Sequence, residues 1–550
     1  MISRHVLAFM MALFLVGFTP QAIIGQQLTE RIDKMMQKQY PSEGPGASII
    51  VAKNSEVIFS GGYGKANIEL DVDNTENHVF EIGSITKQFT AVSILMLMEE
   101  GKLNLDDEIT KFIEDYPTHG HTITVHHLLT HTSGIKSYTS MPSFFDLARE
   151  DMSPTELIDV FKNEPMDFAP GEQWLYNNSA YVILGHIIEV VSGQSYEEFI
   201  NKRIFTPLKM TNSYYGSHSK IIKNRAYGYQ QNGDIVNAAY LSLTLPYSAG
   251  SIMSTVGDLF KWQHGIKSNE LISEESLSIA ISDHPLNNGK KTDYGYGWGV
   301  NEINGSSTYE HSGGIFGYNS NEIYLPEEDV YVAVLANSDF ISTGEISTRI
   351  AAYTIGKPYP EYSSKIELTE QYMEQLVGVY EFEDGVLRTI TLEDGQLMSQ
   401  RKGGQKIPIH AIDDTTFIFE NSLSVISLKP GPGDQIVAHF KNRNSKSKGK
   451  RTTREIEVKE EIEVSEEILN QYVGEYELQP GFIIAVTVED GKLMTQATGQ
   501  AVFQVFAESE TYFFLKVVDA QIEFVSNASG VFDSLILYQG GMEMKAKKVK

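Results

Sequence analysis

The chain has 550 residues, 41% of them hydrophobic and 11% aromatic, which is the make-up of a globular protein of roughly two to four domains. A formal charge of −28 argues against nucleic acid and anionic membrane surfaces as partners, since both demand basic patches. Cysteine is absent, which excludes disulfides, a thiol nucleophile and lipoprotein-type acylation.

In chain order, residues 1–25 read as a signal peptide. Arg4 and His5 open it, Val6 to Phe18 is an unbroken apolar run, Thr19-Pro20 ends that run, and Ala22 and Gly25 are small enough for cleavage. The apolar run is too short for a comfortable membrane span. Export to the periplasm or the medium is therefore expected, with an uncleaved N-terminal anchor as the alternative. Residues 26–360 follow as one predicted domain. Leu28, Ile32, Met35 and Met36 space out an amphipathic helix ending near Tyr40-Pro41. Ala47–Ala52 and Val57–Ser60 flank Lys53-Asn54-Ser55 as a β-hairpin. Ser84 then opens a helix over Gln88–Glu100, with Phe89, Val92, Leu95, Met96 and Met98 mostly on one broad apolar face and Gly101 as the stop.

Helical spacing recurs at Pro154–Phe161, Tyr181–Val191 and Tyr196–Ile204. From Tyr294 the pattern turns to short strands at Tyr294–Val300, Ser307–His311, Asn319–Leu325 and Val330–Ala336, and a last helix covers Ser342–Thr354. Strands at both ends with helices between them predict an α+β domain. Beyond Lys357 a repeat appears at one constant offset. Leu376–Glu381 echoes Tyr472–Glu477, Leu392–Met398 echoes Val488–Met494, and Phe417 echoes Phe513. Asp-Gly pairs between alternating apolar runs are hairpin turns, so residues 366–445 and 466–550 are predicted as two antiparallel β-barrel-like domains. Asn442–Val464, first basic and then acidic, is expected to be a linker or a long exposed hairpin, with its charges solvated.

Chemistry concentrates at three places. Ser84 sits where a helix N-terminus offers free N–H groups and a positive dipole end, and Lys87 lies one turn on. An amine beside a hydroxyl suits an activated nucleophile. Ser-x-x-Lys alone is weak, because it also starts at Ser133, Ser217, Ser399, Ser445 and Ser447. Its support comes from Tyr176-Asn177-Asn178 and from His311-Ser312-Gly313-Gly314, which hold the chain's one Tyr-x-Asn and one His-x-Gly. His126, His127 and His131 cluster before Ser133-Gly134 without a diagnostic metal spacing, and a helix-capping or supporting role is expected for them. No metal is predicted. No phosphate loop or dinucleotide fingerprint is present, so no cofactor is predicted either.

Between Leu28 and Lys357 these ordered motifs resemble the penicillin-recognising serine hydrolases: class C β-lactamases, DD-peptidases, D-aminopeptidases and related esterases. Leu128–Gly134, Ser248–Thr255 and Tyr294–Gly299 add to the likeness. The resemblance implies a β-lactamase/transpeptidase-like fold and an acyl-enzyme on Ser84. It implies that Lys87 and Tyr176 share the work of the base, that Asn178 orients Lys87 and binds the substrate amide, and that the backbone N–H groups of Ser84 and Gly314 form the oxyanion hole. Ser312 and Gly313 would line the substrate. His311 departs from the lysine of the β-lactamase version. A histidine is mostly neutral at pH 7, which points towards the peptidase and esterase branches.

The two tail modules are similar to the architecture of bacterial D-aminopeptidases, with spacers or cell-surface binding domains as the alternative. The expected activity is hydrolysis of amide or peptide bonds, in short peptides containing D-residues, with contact to the cell wall. A β-lactamase or carboxylesterase of the same fold is the alternative, and a non-catalytic binding protein the second. The expected partner is a small peptide, amide or ester substrate.

Overall fold

The computed structural model describes residues 20–550 apart from positions 142, 421, 432–434, 444, 455–460, 480–481, 490, 498–501, 517, 519, 528 and 540–541. The expected signal run Val6 to Phe18 lies outside the described residues. Among the described residues no helix is long and apolar enough to cross a membrane. The chain divides into two compact units, Met1–Tyr138 with Ala148–Pro358, and Thr139–Leu147 with Tyr359–Lys550.

The first unit is built on a six-stranded antiparallel sheet. Its strands are β1 (Ala47–Lys53), β2 (Glu56–Tyr63), β3 (Gly299–Ile303), β4 (Ser306–Ile315), β5 (Tyr318–Leu325) and β6 (Val330–Ala336), in the spatial order β3-β4-β5-β6-β1-β2. Pairing of β1 with β6 joins the two ends of the domain, with Ala47 opposite Ala336 and Lys53 opposite Val330. The hairpin expected around Lys53-Asn54-Ser55 is present, and Asn54 and Ser55 take the positive φ values that its tight turn requires. The strand expected over Tyr294–Val300 is shorter than its pattern suggested. Only β3 pairs in the sheet, and Gly295–Trp298 form a turn in which Gly297 packs on the backbone of Lys87 and Gln88.

The helices that matter for the site are α1 (Pro20–Gln39), α2 (Thr86–Glu99), α3 (Asn178–Ser192), α4 (Val256–Lys267) and α5 (Thr343–Thr354). α2 corrects the expectation of a one-faced amphipathic helix, because Thr86 through Leu97 are all buried. Helices buried on every side need partners for their polar residues. Thr90 Oγ1 donates to Ser248 O at 2.6 Å and Ser93 Oγ donates to Phe89 O at 2.7 Å. Trp262 of α4 stacks on Phe89 at 3.9 Å and donates its indole N–H to Gln88 Oε1.

In the second unit, the helix α6 (Glu370–Leu376) precedes eight strands. These are β7 (Gly378–Phe382), β8 (Leu387–Glu393), β9 (Gln396–Arg401), β10 (Lys406–Ala411), β11 (Thr416–Phe419), β12 (Val425–Pro430), β13 (Ile436–Lys441) and β14 (Lys446–Thr452), and they close into an antiparallel barrel. β14 falls in the stretch expected to be linker or exposed hairpin. A hairpin does form, but it pairs with β7 and closes the barrel. Its lysines mask the alternation: Gly449 is buried against Phe382, while Lys448 and Lys450 face out.

A second helix, α7 (Glu466–Tyr472), precedes β15 (Gly474–Gln479), β16 (Phe482–Glu489), β17 (Lys492–Ala497), β18 (Val502–Gln504), β19 (Phe506–Ala507), β20 (Tyr512–Phe514), β21 (Ala520–Ser526), β22 (Phe532–Gln539) and β23 (Met542–Lys548). These nine strands form a nearly closed sheet whose two edges, β18 and β19, are consecutive in the chain. The repeat seen in the sequence is thus two barrels, each with its own core.

Candidate active site

Ser84 sits in a 3-10 turn, Gly83–Ile85, that runs straight into α2. Phe80–Glu81 leads into this turn by pairing with Ile252–Ser254, which follows the Ala249 segment. Gly83 adopts φ +51°, and a Cβ there would come within 2.9 Å of the Gly314 nitrogen. No other residue type tolerates both demands. Gly313 is packed as tightly, since a Cβ on it would overlap Ile82 O at 2.0 Å. Ser320 Oγ donates to the same Ile82 oxygen at 2.8 Å, tying β5 to the serine turn. The sheet therefore brings the Gly314 amide next to Ser84. Beyond the Gly299–Glu310 pair the ladder from β3 stops, so among the described residues no strand covers one edge of His311–Gly314.

Lys87 is sealed from solvent. Its Nζ donates to Ser84 Oγ at 3.1 Å, Asn178 Oδ1 at 2.8 Å and Ala249 O at 2.9 Å. Burial holds its pKa well below the ordinary lysine value, and among the described residues no carboxylate offsets the shift. Asn178 is the first residue of α3, and its predecessor Asn177 caps that helix by accepting from Ala180 N at 2.9 Å. The middle residue of Tyr-x-Asn is thus the cap that aims the other two.

The Tyr176 ring lies beneath the ammonium, 4.8 Å from Nζ to the ring centre. Its hydroxyl is buried and turned to Ser84; burial pushes its pKa up, and the Ser84 hydroxyl opposes this only in part. His311 is buried, with Nε2 at 2.9 Å from the Tyr294 hydroxyl and Nδ1 at 2.5 Å from Ser312 O. Burial, assisted by Lys87, takes its pKa down to about 3. The ring is therefore neutral, with Nδ1–H donating to the Ser312 carbonyl and Nε2 accepting from Tyr294. Ser312 and Gly314 are exposed and Ser84 is half-buried.

The predicted residues Ser84, Lys87, Tyr176, Asn178 and His311 through Gly314 thus converge from three chain segments. Two contributors had no assigned role in the sequence. Ala249 acts through a backbone carbonyl, which no residue type advertises. Tyr294 belongs to a stretch noted for its likeness, but its partner lies on another strand. A capping or supporting role was expected for the three clustered histidines: His127 makes the capping box with Thr124, and His126 bonds the Tyr296 hydroxyl at 2.7 Å. His131 lies 4.4 Å from the Tyr176 ring and its Nδ1 accepts from Asn177 N at 3.1 Å. That bond places the proton of the neutral ring on Nε2, a buried atom without a partner among the described residues. Among the described residues no three histidine or acidic side chains converge as metal ligands do.

Comparison with known proteins gives two family matches. Residues 29–353 match the Beta-lactamase family, and residues 458–549 match a Domain of unknown function (DUF3471). The chain is 30% identical over 410 residues to Penicillin-binding protein 4* of Bacillus subtilis, covering 69% of this chain and 88% of that protein. It is 30% identical over 369 residues to Protein flp of Staphylococcus aureus strain N315, covering 64% of this chain and 70% of that one. Among solved structures it resembles the octameric penicillin-binding protein homologue from Pyrococcus abyssi, with a TM-score of 0.55 and 28% identity across 78% of this chain and 99% of the other. A D-amino acid amidase from Ochrobactrum anthropi shares the fold, with a TM-score of 0.54 and 23% identity across 60% of this chain and 99% of the other.

Proposed function

This chain belongs to the Beta-lactamase family of serine hydrolases, and from that premise we propose that it hydrolyses amide bonds of short D-residue-containing peptides through an acyl-enzyme on Ser84. The observation that carries this reading is the environment of Lys87. Two fixed acceptors, Asn178 Oδ1 and Ala249 O, take two N–H bonds of a buried amine whose neutral form is favoured. Its lone pair then faces Ser84 and can take the hydroxyl proton as Oγ attacks the substrate carbonyl.

Tyr176 has the opposite shift, so it stays a phenol at neutral pH. A phenol fits the step in which the leaving amine must be protonated. The proton from Ser84 passes to Lys87, and Tyr176 donates to the amine while regaining a proton from Lys87. The C–N bond breaks, and water then repeats the sequence in reverse on the ester. Negative charge on the carbonyl oxygen would meet the Ser84 and Gly314 amides, worth about 3 kcal/mol per donor in sites of this kind.

His311 supports the choice of substrate class. A neutral imidazole with both nitrogens engaged offers no cation to a substrate carboxylate beside the scissile bond. That disfavours β-lactams, which carry such a carboxylate, and favours amides. The bare edge at Ser312–Gly314 gives a peptide backbone a strand to pair with. Export to the cell-wall side of the membrane completes the proposal.

The test compares wild type with Ser84→Ala on D-alanine anilide, a chromogenic cephalosporin and short-chain nitrophenyl esters. The expected result is Ser84-dependent turnover with preference for the anilide. Preference for the cephalosporin or the esters would overturn the substrate class. Absence of Ser84-dependent turnover and of covalent labelling by a serine-reactive probe would overturn the acyl-enzyme.

A further inference from the structure

The first barrel carries a feature that hydrolysis at Ser84 does not use. Arg388, the second residue of β8, is only 9% exposed. One guanidinium N–H reaches Ser399 Oγ at 3.1 Å, and the group lies over the rings of Phe440 and Phe419, at 4.6 Å and 5.2 Å from their centres. Among the described residues no carboxylate pairs with it. Directly across the ladder on β9 stands a second arginine, Arg401, which is exposed. Burial, with repulsion from Arg401, lowers the Arg388 pKa to about 10, and Asp384 offsets this only in part. Buried cations without a counter-charge are costly, and like charges opposite each other on neighbouring strands add to the cost.

The fold itself does not require this pair. The second barrel repeats the register of the first. Tyr380, Arg388 and Arg401 face one another across β7, β8 and β9 as Tyr476, Ile484 and Ala497 do across β15, β16 and β17. Ile484 is 3% exposed and belongs to the apolar core there. The same barrel position thus accepts an isoleucine facing an alanine, and the arginines are particular to the first module.

Their place in that module is also distinctive. α6 leads into the end of the barrel where Gly395, Leu397, Ile409 and Phe417 line a cavity of about 70 Å³ with Leu368 and Met373. Arg388, Arg401, Phe419 and Phe440 sit at the strand ends opposite, where β7–β8, β9–β10 and β13–β14 make their turns. An eight-stranded barrel is just wide enough for side chains to fill or for one small ligand to enter. A guanidinium presents its free N–H groups as a planar fork matched to the oxygens of a carboxylate or phosphate.

We propose that this mouth of the first barrel binds an anion, a carboxylate or phosphate group, held by Arg388 with Arg401 as the second cation and with Phe419 and Phe440 beside it. The site is independent of the hydrolytic reading, since none of its residues belongs to the first unit.

Calorimetric titration of the full chain with octanoate and with inorganic phosphate, at constant ionic strength set by chloride, tests it. The expected result is saturable binding of one probe, lost in Arg388→Ile, which installs the residue of the sister barrel, and weakened about tenfold in Arg401→Ala. Octanoate binding marks the site as one for carboxylates with an apolar body, and phosphate binding as one for phosphorylated ligands. Failure of both probes to saturate overturns the proposal, as does wild-type affinity in folded Arg388→Ile. Should Arg388→Ile not fold, unchanged affinity in Arg401→Ala, altered at an exposed position, overturns it in the same way.

Discussion

Lys87 and Tyr176 are pushed in opposite directions by one cause. Burial disfavours charge, which lowers an amine and raises a phenol. Where Lys87 serves as base, kcat/KM climbs as pH rises through its lowered pKa and then stays level until Tyr176 ionises at strongly alkaline pH. A rate profile measured from pH 4 to 10 checks this, and a rising limb at the ordinary lysine value of about 10.4 would contradict it. His311, neutral down to about pH 3, adds no limb between pH 5 and 8. Tyr176→Phe should slow turnover by about 10²–10⁴-fold with unchanged thermal unfolding, and near-full activity would remove the relay assigned to the phenol. The residue identities were readable as motifs in the chain, but their protonation was not. It depends on what covers each side chain, and Ala249 comes from a segment remote from Lys87 in sequence.

At the scale of elements, the decisive joint is between the serine turn and β4. Gly313→Ala would set a Cβ against Ile82 O and Ser320 Oγ, so the strand must move away from Ser84. The expected outcome is loss of at least about 3 kcal/mol of stability, as overpacking at backbone allows no side-chain relief. Hydrolysis should fall with it, because the Gly314 amide moves too. Unfolding and kcat/KM of the variant check both parts, and wild-type values for either would refute the joint. The cap at α3 is gentler: Asn177→Ala should cost about 1 kcal/mol and lower kcat by releasing Asn178. Element types were largely legible, because apolar spacing at period 2 or 3.6 is local. Two readings needed tertiary context. α2 is wrapped on every side by segments distant in sequence, and β14 hides its alternation behind lysines that face solvent.

For the molecule as a whole, buried histidines couple the fold to acid. Burial lowers His311 to about 3 and His126 to about 4, takes His131 well down, and shifts His78, His127, His186 and His284 the same way. An unfolded chain titrates its histidines near about 6.5, so below that pH the unfolded state binds more protons. Their contribution to stability is complete above about pH 6.5 and is lost as pH falls towards the folded values. For His311 and His126 the slope reaches up to about 1.4 kcal/mol per pH unit between about 6.5 and the folded value. Glu322, raised to about 7 by burial, works in the opposite sense between its unfolded value near about 4.3 and 7. Histidines outnumber it, so melting temperature should fall steadily from pH 6.5 to 4. A flat calorimetric profile over that range would show that the rings are not buried as described.

The sequence by itself determined the order Ser84-x-x-Lys87, Tyr176-x-Asn178 and His311-x-Gly313, the α+β first domain, and the two β modules announced by their repeat. These are properties of residue type and short-range spacing, and a linear string carries them intact. Only the tertiary structure decided which atoms meet: the Ala249 carbonyl on Lys87, Tyr294 on His311, His131 behind Tyr176, and Gly314 beside Ser84. It also decided that one barrel of a repeated pair buries an arginine where its sister buries isoleucine. The reason is physical. Charge state and hydrogen-bond partnership are fixed by burial and by neighbours far away in the chain, and neither is encoded at any single position.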